Sequence, residues 1–554
     1  MPKKKKKNET FHGTLTLSIR LLRKKWSITN SLRKESQLER VEANEGQIYI
    51  AQTPESAPKW LNIINEFSES GDIQLENKSC SAIIFIEVQP DDRRQSSRTF
   101  ALTFGTGHHA LEHDAFVRGF GLKVALNSIS RSALKNIDTA TLDSTTIQRR
   151  IQASRKSDLS GFGIDFQSDL LRLAGGVPTD SNFAKAITGR DALTLTTKIS
   201  SSEVKGKCKE ALKLFNANDY KKDFSFVDHI IPAHDKATTN ALDRKLFSEV
   251  KALLNGTPSD LHIATPEVID PEETRSFAYF GLGFNSGTKN TYEEIAIEDY
   301  IHELSSGRPN DVSDIASLKA SHEIMIVTNG HGDKTKRQRI YDCFVFEATY
   351  NSKSYVIFSG SWYCIEKKFF DLVNNEFNSL IHKPFRKSTS AKNEQEFIEE
   401  LNSDHNLLNL DKVKASPSGA KGSNLEPCDF LSRKKEFIHL KDGHSSAPIS
   451  HLWNQGLVSA ESFLRDEVFR KAFRDSAIER QKNFKKAGFE KILPDGRSKP
   501  NASEYKVIFG VMRHRYTKSN KLGLPFFSKV SLRAVASRIQ LMGYTVEVHL
   551  IEKK

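Results

Sequence analysis

The stretch Glu426-Pro427-Cys428-Asp429-Phe430-Leu431-Ser432-Arg433-Lys434-Lys435-Glu436-Phe437-Ile438-His439-Leu440-Lys441 decides how this chain is read. Apolar residues flank the basic turn Ser432 to Lys435, which predicts two neighbouring strands joined as a hairpin. That pairing brings Asp429 near one strand end and Lys441 near another. His439 and Lys441 are two positions apart, so they share one face of their strand. A carboxylate to hold Mg²⁺, a second ligand and a lysine beside the attacking hydroxide or the scissile phosphate are what metal-dependent phosphodiester hydrolysis requires. Asp429 is the expected metal ligand. His439 stands where a second carboxylate would serve Mg²⁺ better, and imidazole favours Mn²⁺ or another transition metal. Glu426 is then the expected source of the missing charge, so Asp429 and Glu426 form the expected metal pair.

Outward from this stretch, Lys414 to Ser423 is rich in small and flexible residues and reads as a loop or linker. A polar helix from about Glu394 to Leu401 precedes it, and Glu396, Glu399 and Glu400 are candidates for one further carboxylate. Ile449 to Gly456 reads as a helix. Tyr505 to Val511, Phe526 to Leu541 and Tyr544 to Ile551 read as strand, helix and strand, so the C-terminal third is expected to be α/β. Strands are also expected at 14–21, 81–88 and 98–104, with a helix over 57–67. The region 205–260 reads as mainly helical. Tyr341 to Glu347 and Tyr355 to Phe358 form a second expected hairpin around Asn351-Ser352-Lys353.

At 554 residues the chain exceeds what one core supports, so several domains are expected. Lys and Arg number 82 against 69 Asp and Glu, a net charge of +13 that favours polyanions, DNA or RNA first. The 5 cysteines are scattered with no C-x-x-C pair, which argues against a disulfide framework or a cysteine-rich zinc site. No apolar run approaches the length of a membrane span, and Lys3 to Lys7 is not followed by the apolar segment of a signal peptide. A cytoplasmic protein with no membrane partner is expected. Asn329 to Arg339 reads as a loop ending in basic residues, and Lys334, Lys336, Arg337 and Arg339 are expected to contact phosphates, with Arg433 and Lys434 in the hairpin turn.

The pattern Pro427-Cys428-Asp429 with His439-Leu440-Lys441 resembles the PD-(D/E)xK nuclease superfamily, departing from it at His439. Gln455 lies beyond Lys441 at a distance that resembles the glutamine helix following the lysine strand in some of these nucleases. The resemblance implies a catalytic set of Asp429, Lys441, Glu426, His439, Gln455 and His451, with Mg²⁺ or Mn²⁺ as cofactor. In that set Gln455 and His451 would orient the phosphate or water. The whole chain also resembles a sporadically distributed bacterial family of unknown function, often encoded near restriction and phage-defence genes. Phe120 to Asn127, Ser361-Trp362-Tyr363, Glu426 to Asp429, Ile438 to Lys441, Ser450-His451-Leu452 and Pro525 to Ser528 carry that likeness. It implies an anti-phage defence role, with a partner from a defence operon. The expected architecture is α+β and multidomain: an N-terminal α+β region at 1–200, a central mixed region with a hairpin at 201–390, and a restriction-endonuclease-like α/β domain at 391–554.

Two rival readings start from other features. A non-catalytic nucleic-acid-binding sensor with a degenerate nuclease fold would account for His439. A toxin-like effector acting on a host protein would use His109-Ala110-Leu111-Glu112-His113, the H-x-x-E-H pattern of zinc peptidases, provided a helix presents both histidines on one face. Asp228-His229 and His234-Asp235 pair the same residue types, and a capped turn explains them as well. No Walker A loop or G-x-S-x-G elbow is present.

Overall fold

Val507-Ile508-Phe509-Gly510-Val511-Met512 is buried throughout, as a strand must be when both faces of a parallel sheet are covered. In the computed structural model this strand, Lys506–Arg513, lies inside a mixed six-stranded sheet. The structure describes residues 12–554 apart from 54, 59–60, 93, 95, 142–145, 167–168, 234, 267–273, 286–289, 329–335, 419–424, 444–448 and 516–520. Lys3 to Lys7 and Lys334 lie outside the described residues.

The six-stranded sheet begins as an antiparallel meander of Leu407–Asn409, Phe430–Ser432 and Glu436–Asp442. Lys506–Arg513 then pairs parallel to Glu436–Asp442, and Thr545–Lys553 parallel to Lys506–Arg513. The expected hairpin and the closing strand–helix–strand unit are both present. The turn is closed by Lys435 in the left-handed region, φ 60°. Ser432 also helps, its hydroxyl accepting the Lys434 amide at 3.0 Å and donating to Glu436 at 2.6 Å.

Helices cover both faces. Ile449–Arg465 and Glu467–Asn483 pack with Phe437, Phe463, Phe473 and Tyr505 in one core. Helix Glu394–Leu401 places Phe397, Ile398 and Leu401 against Phe430, Ile438 and Leu440 on the other side. Each fully buried large apolar side chain contributes about 1.5–3 kcal/mol.

A ten-stranded antiparallel sheet draws its strands from His12–Leu21 through Leu193–Ser200. Helix Phe120–Ser128 packs on it so closely that a Cβ on Gly189 would lie 1.8 Å from the Gly121 carbonyl oxygen. A five-stranded and a three-stranded sheet lie between residues 230 and 365. They include the expected hairpin Phe344–Tyr350 with Lys353–Phe358. Residues 341–343, read from sequence as the start of that strand, instead belong to the helical turn Ile340–Cys343. With thirteen α-helices among the described residues, the architecture is α+β with several sheets.

The last helix, Phe526–Leu541, ties the regions together. Its first amides, Phe526 and Phe527, donate to the carboxylate of Glu347, at 2.5 and 2.8 Å. Burial pushes that carboxyl up to about 7, against the pull of the two amides. Phe526 and Phe527 pack with Val345, Val356 and Phe358 of the central hairpin. Arg513, buried in the C-terminal sheet, reaches Asp260, its Nη2 donating to both carboxylate oxygens at 2.8 and 3.0 Å. No helix among the described residues is long and apolar enough to cross a membrane.

Candidate metal centre

Asp429 sits just before its strand, where the sheet ladder ends. Its amide donates to the Ile438 carbonyl at 3.0 Å, and its carboxylate accepts the Leu440 amide at 2.6 Å. The side chain thus takes the place of a strand carbonyl beside Lys441, at the end of the hairpin remote from the turn. One carboxylate oxygen from each of Asp411, Glu426 and Asp429 lies within 4.8 Å of the other two. Burial raises the Asp429 carboxyl to about 8 against the Leu440 hydrogen bond, and Glu394, Asp411 and Glu426 push the same way. Glu426 is raised by burial first and then by Asp411. Carboxylates crowded in a partly buried site repel one another until a proton or a cation intervenes.

Lys441 donates to Glu394 at 3.1 Å. Glu394 opens helix Glu394–Leu401, whose N-cap Asn393 accepts the Glu396 amide at 2.9 Å. A carboxylate in the first helical turn is favoured by the helix dipole. Since Glu394 acts on Asp429 and Glu426 alike and touches Lys441, these groups converge on one end of the sheet.

Helix Ile449–Arg465 fixes the segment carrying Glu426. Gln455 Nε2 donates to Glu426 at 3.1 Å, and the Ser459 hydroxyl donates to the Pro427 carbonyl. Arg480 fixes Asp411 from the next helix. Its guanidinium donates to the Asn409 carbonyl at 3.2 Å, the Asn409 side-chain oxygen at 3.0 Å and the Asp411 carbonyl at 2.6 Å. The Asp411 amide closes an Asx turn on Asn409 at 3.0 Å.

The structure therefore brings together Asp429, Glu426, Lys441 and Gln455, adds Asp411 and Glu394, and leaves two expected residues aside. His439 is wholly buried beneath Gly456 and beside Phe509, and neither ring nitrogen has a hydrogen-bond partner among the described residues. Burial alone lowers it to about 3, so the ring is neutral and feels none of the carboxylates. It is packed in the core and stands outside the acidic cluster. His451 is exposed and belongs to no ligand cluster among the described residues. The acidic helix supplies Glu394 in place of the expected candidates. Glu396 accepts the Lys392 amide at the helix start, Glu400 accepts the Thr389 hydroxyl, and Glu399 lines a neighbouring cleft.

The expected phosphate contacts are partly engaged elsewhere. Lys336–Arg339 is a strand, with Arg337 paired to Glu323 and Arg339 to Asp342. Arg433 donates to the His405 and Ala487 carbonyls and stacks on Phe489. Lys434 is exposed in the hairpin turn, roughly 20 Å from Lys441 at the usual rise per strand residue.

The zinc-peptidase pattern lacks its helix. Gly107–Ala110 and His113–Ala115 are separate 3₁₀ turns, with Leu111 extended between them. This corrects the reading of His109 and His113 as one helix face. Asp228 accepts the Tyr220 hydroxyl, His229 stacks on Phe369, and Asp235 caps helix Lys236–Leu254. His234 lies outside the described residues.

No curated protein and no solved structure is matched by the chain. A family model described as "Family of unknown function (DUF6119)" matches residues 17–552. With that match running through every sheet and through the acidic cluster, the chain belongs to this family.

Proposed function

We propose that this protein is a metal-dependent phosphodiesterase that cleaves nucleic acid, in the setting of prokaryotic defence against foreign DNA or RNA. The observation that carries the reading is the convergence of Asp411, Glu426 and Asp429 within 4.8 Å, with Lys441 held at their edge by Glu394. An all-oxygen donor set suits a hard divalent cation such as Mg²⁺ or Mn²⁺. The upward shift of Asp429 to about 8 fits a group built to exchange its proton for such an ion. When bound, the ion would polarise the scissile phosphate and acidify a water.

The chain's own residues do the rest. Asp411, Glu426 and Asp429 provide the ligands, and Gln455 orients Glu426. Lys441, released from Glu394, balances charge on the phosphate or the attacking hydroxide. Four features agree with the nuclease resemblance: a carboxylate at the strand start, a lysine on the next strand, a glutamine on the following helix and an acid from an earlier helix. The defence setting rests on the family resemblance.

The test uses the full chain with labelled single- and double-stranded DNA and RNA, in Mg²⁺ and in Mn²⁺. Asp429→Asn and Lys441→Ala should each abolish cleavage while keeping the wild-type circular dichroism spectrum. Wild-type cutting rates in both variants would sink the site assignment. A second reading, a non-catalytic nucleic-acid binder, draws on the Lys441–Glu394 pair, which occupies the lysine. It predicts salt-dependent binding without cleavage in either metal.

A further inference from the structure

A polar cleft of about 640 Å³ opens directly beside the acidic cluster and shares Asp411 with it. Its size falls within the usual range for small-ligand sites, roughly 300–1,000 Å³. Its lining includes Glu399, Ser476, Glu479 and Asn483, together with the cations Lys412 and Lys414.

We infer that this cleft receives a single nucleobase, unstacked from the strand whose phosphate lies at the acidic cluster, and selects a base that carries an exocyclic amino group. The inference rests on the phosphodiesterase reading and names the substrate contact that reading leaves open.

Three observations carry it. First, the Arg480 guanidinium is fixed by its bonds to Asn409 and Asp411 and lies 5.4 Å from the Phe484 ring centroid. A held guanidinium plane beside an aromatic ring is a stacking platform for an unpaired base. Second, the lining offers hydrogen-bonding groups not engaged with one another. Glu399, Glu479, Ser476 and Asn483 make no side-chain hydrogen bond or ion pair among the described residues. Two of the four are carboxylates, which accept protons from an amino group. Adenine, cytosine and guanine carry such an amino group, and uracil and thymine do not. Third, one residue connects the two sites. Arg480 bonds the Asp411 carbonyl at 2.6 Å, so a base on the platform sits beside the loop that presents a ligand carboxylate.

The experiment is calorimetric and uses the full chain. Mn²⁺ is titrated first, then AMP, CMP, GMP and UMP in saturating Mn²⁺, against wild type and the paired variant Glu479→Gln with Asn483→Ala. Mn²⁺ should bind both proteins equally. AMP, CMP and GMP should bind wild type at least tenfold more tightly than UMP, and the variant should lose most of that difference. Equal binding of UMP, or an unchanged preference in the variant, overturns the base cleft and leaves the metal centre standing. Failure of wild type to bind Mn²⁺ overturns both. If the paired variant melts early, Glu479→Gln alone provides the same comparison.

Discussion

Replacing Asp429 by Asn keeps the size of a buried side chain and its acceptor for the Leu440 amide, and removes its charge. Burial, with Glu394, Asp411 and Glu426 nearby, holds the native carboxyl at about 8, against an ordinary value of 3.8. The folded protein therefore keeps a proton that the unfolded chain has already released. Stability falls as pH rises through that interval, and the fall ends above about pH 8. Between pH 7 and 9 the folded state gives up this proton, and integration of the linkage gives a loss of about 1.4 kcal/mol. That corresponds to roughly 3–6 °C in melting temperature for a unit the size of the C-terminal region. Asp429→Asn lacks this contribution, so in EDTA it should gain on wild type by that amount between pH 7 and 9. Mn²⁺ must displace the same proton, so its affinity for wild type should rise up to tenfold per pH unit below about pH 8. At a hundred times its dissociation constant it should stabilise wild type by about 2.7 kcal/mol and the variant far less. Differential scanning calorimetry across pH, in EDTA and in Mn²⁺, reads both effects. Parallel melting curves for the two proteins in EDTA, or equal stabilisation of both by Mn²⁺, would refute the reasoning.

His439→Leu should leave any cleavage unchanged, since the ring touches no carboxylate. Its pKa of about 3 means that stability is lost as pH falls below 6.5, and the leucine variant should gain on wild type by about 2 kcal/mol between pH 8 and pH 5, read by urea titration. Gly456→Ala would place a Cβ 2.5 Å from the Phe509 ring, and should cost roughly 1–3 kcal/mol in thermal unfolding. Asp243 accepts from Tyr341 at 2.7 Å, Trp362 at 2.9 Å and Lys319 at 2.7 Å. Asp243→Ala should destabilise the central region by roughly 3–5 kcal/mol, and a soluble variant with wild-type melting would contradict that role. Arg480→Met should weaken Mn²⁺ binding about tenfold or more by releasing the Asp411 loop, while Arg480→Lys recovers part of it.

The hairpin and its partners were readable because their contacts are local or follow strand periodicity. Asp429 and Lys441 lie on two strands joined by a four-residue turn, and Gln455 is on the next helix. Asp411 was missed because its position depends on an Asx turn and on Arg480, which is distant in sequence; the phrase Asn409-Leu410-Asp411 was the available signal. Glu394 was passed over in favour of Glu396, Glu399 and Glu400, yet it is the first residue of that helix that pairs with Lys441. His439 misled because sharing a face with Lys441 does not mean sharing an environment. Further along the same strand face, the helix above closes over the ring and excludes both water and the carboxylates. At 109–113 an α-helix was required, and the extended Leu111 breaks it.

The cap on the last helix has a practical consequence for dissecting the protein. A fragment beginning near residue 391 would contain all six residues of the acidic centre, and would be the natural choice for expression. It would lack Glu347, leaving the Phe526 and Phe527 amides without their acceptor and both rings without the hairpin they pack on. It would also lack Asp260, removing the carboxylate opposite the buried guanidinium of Arg513. The same helix, through Ser528, accepts the Trp453 indole at 3.2 Å on the helix that carries Gln455. Such a fragment should aggregate, and its silence in a cleavage assay would report a lost scaffold rather than absent chemistry.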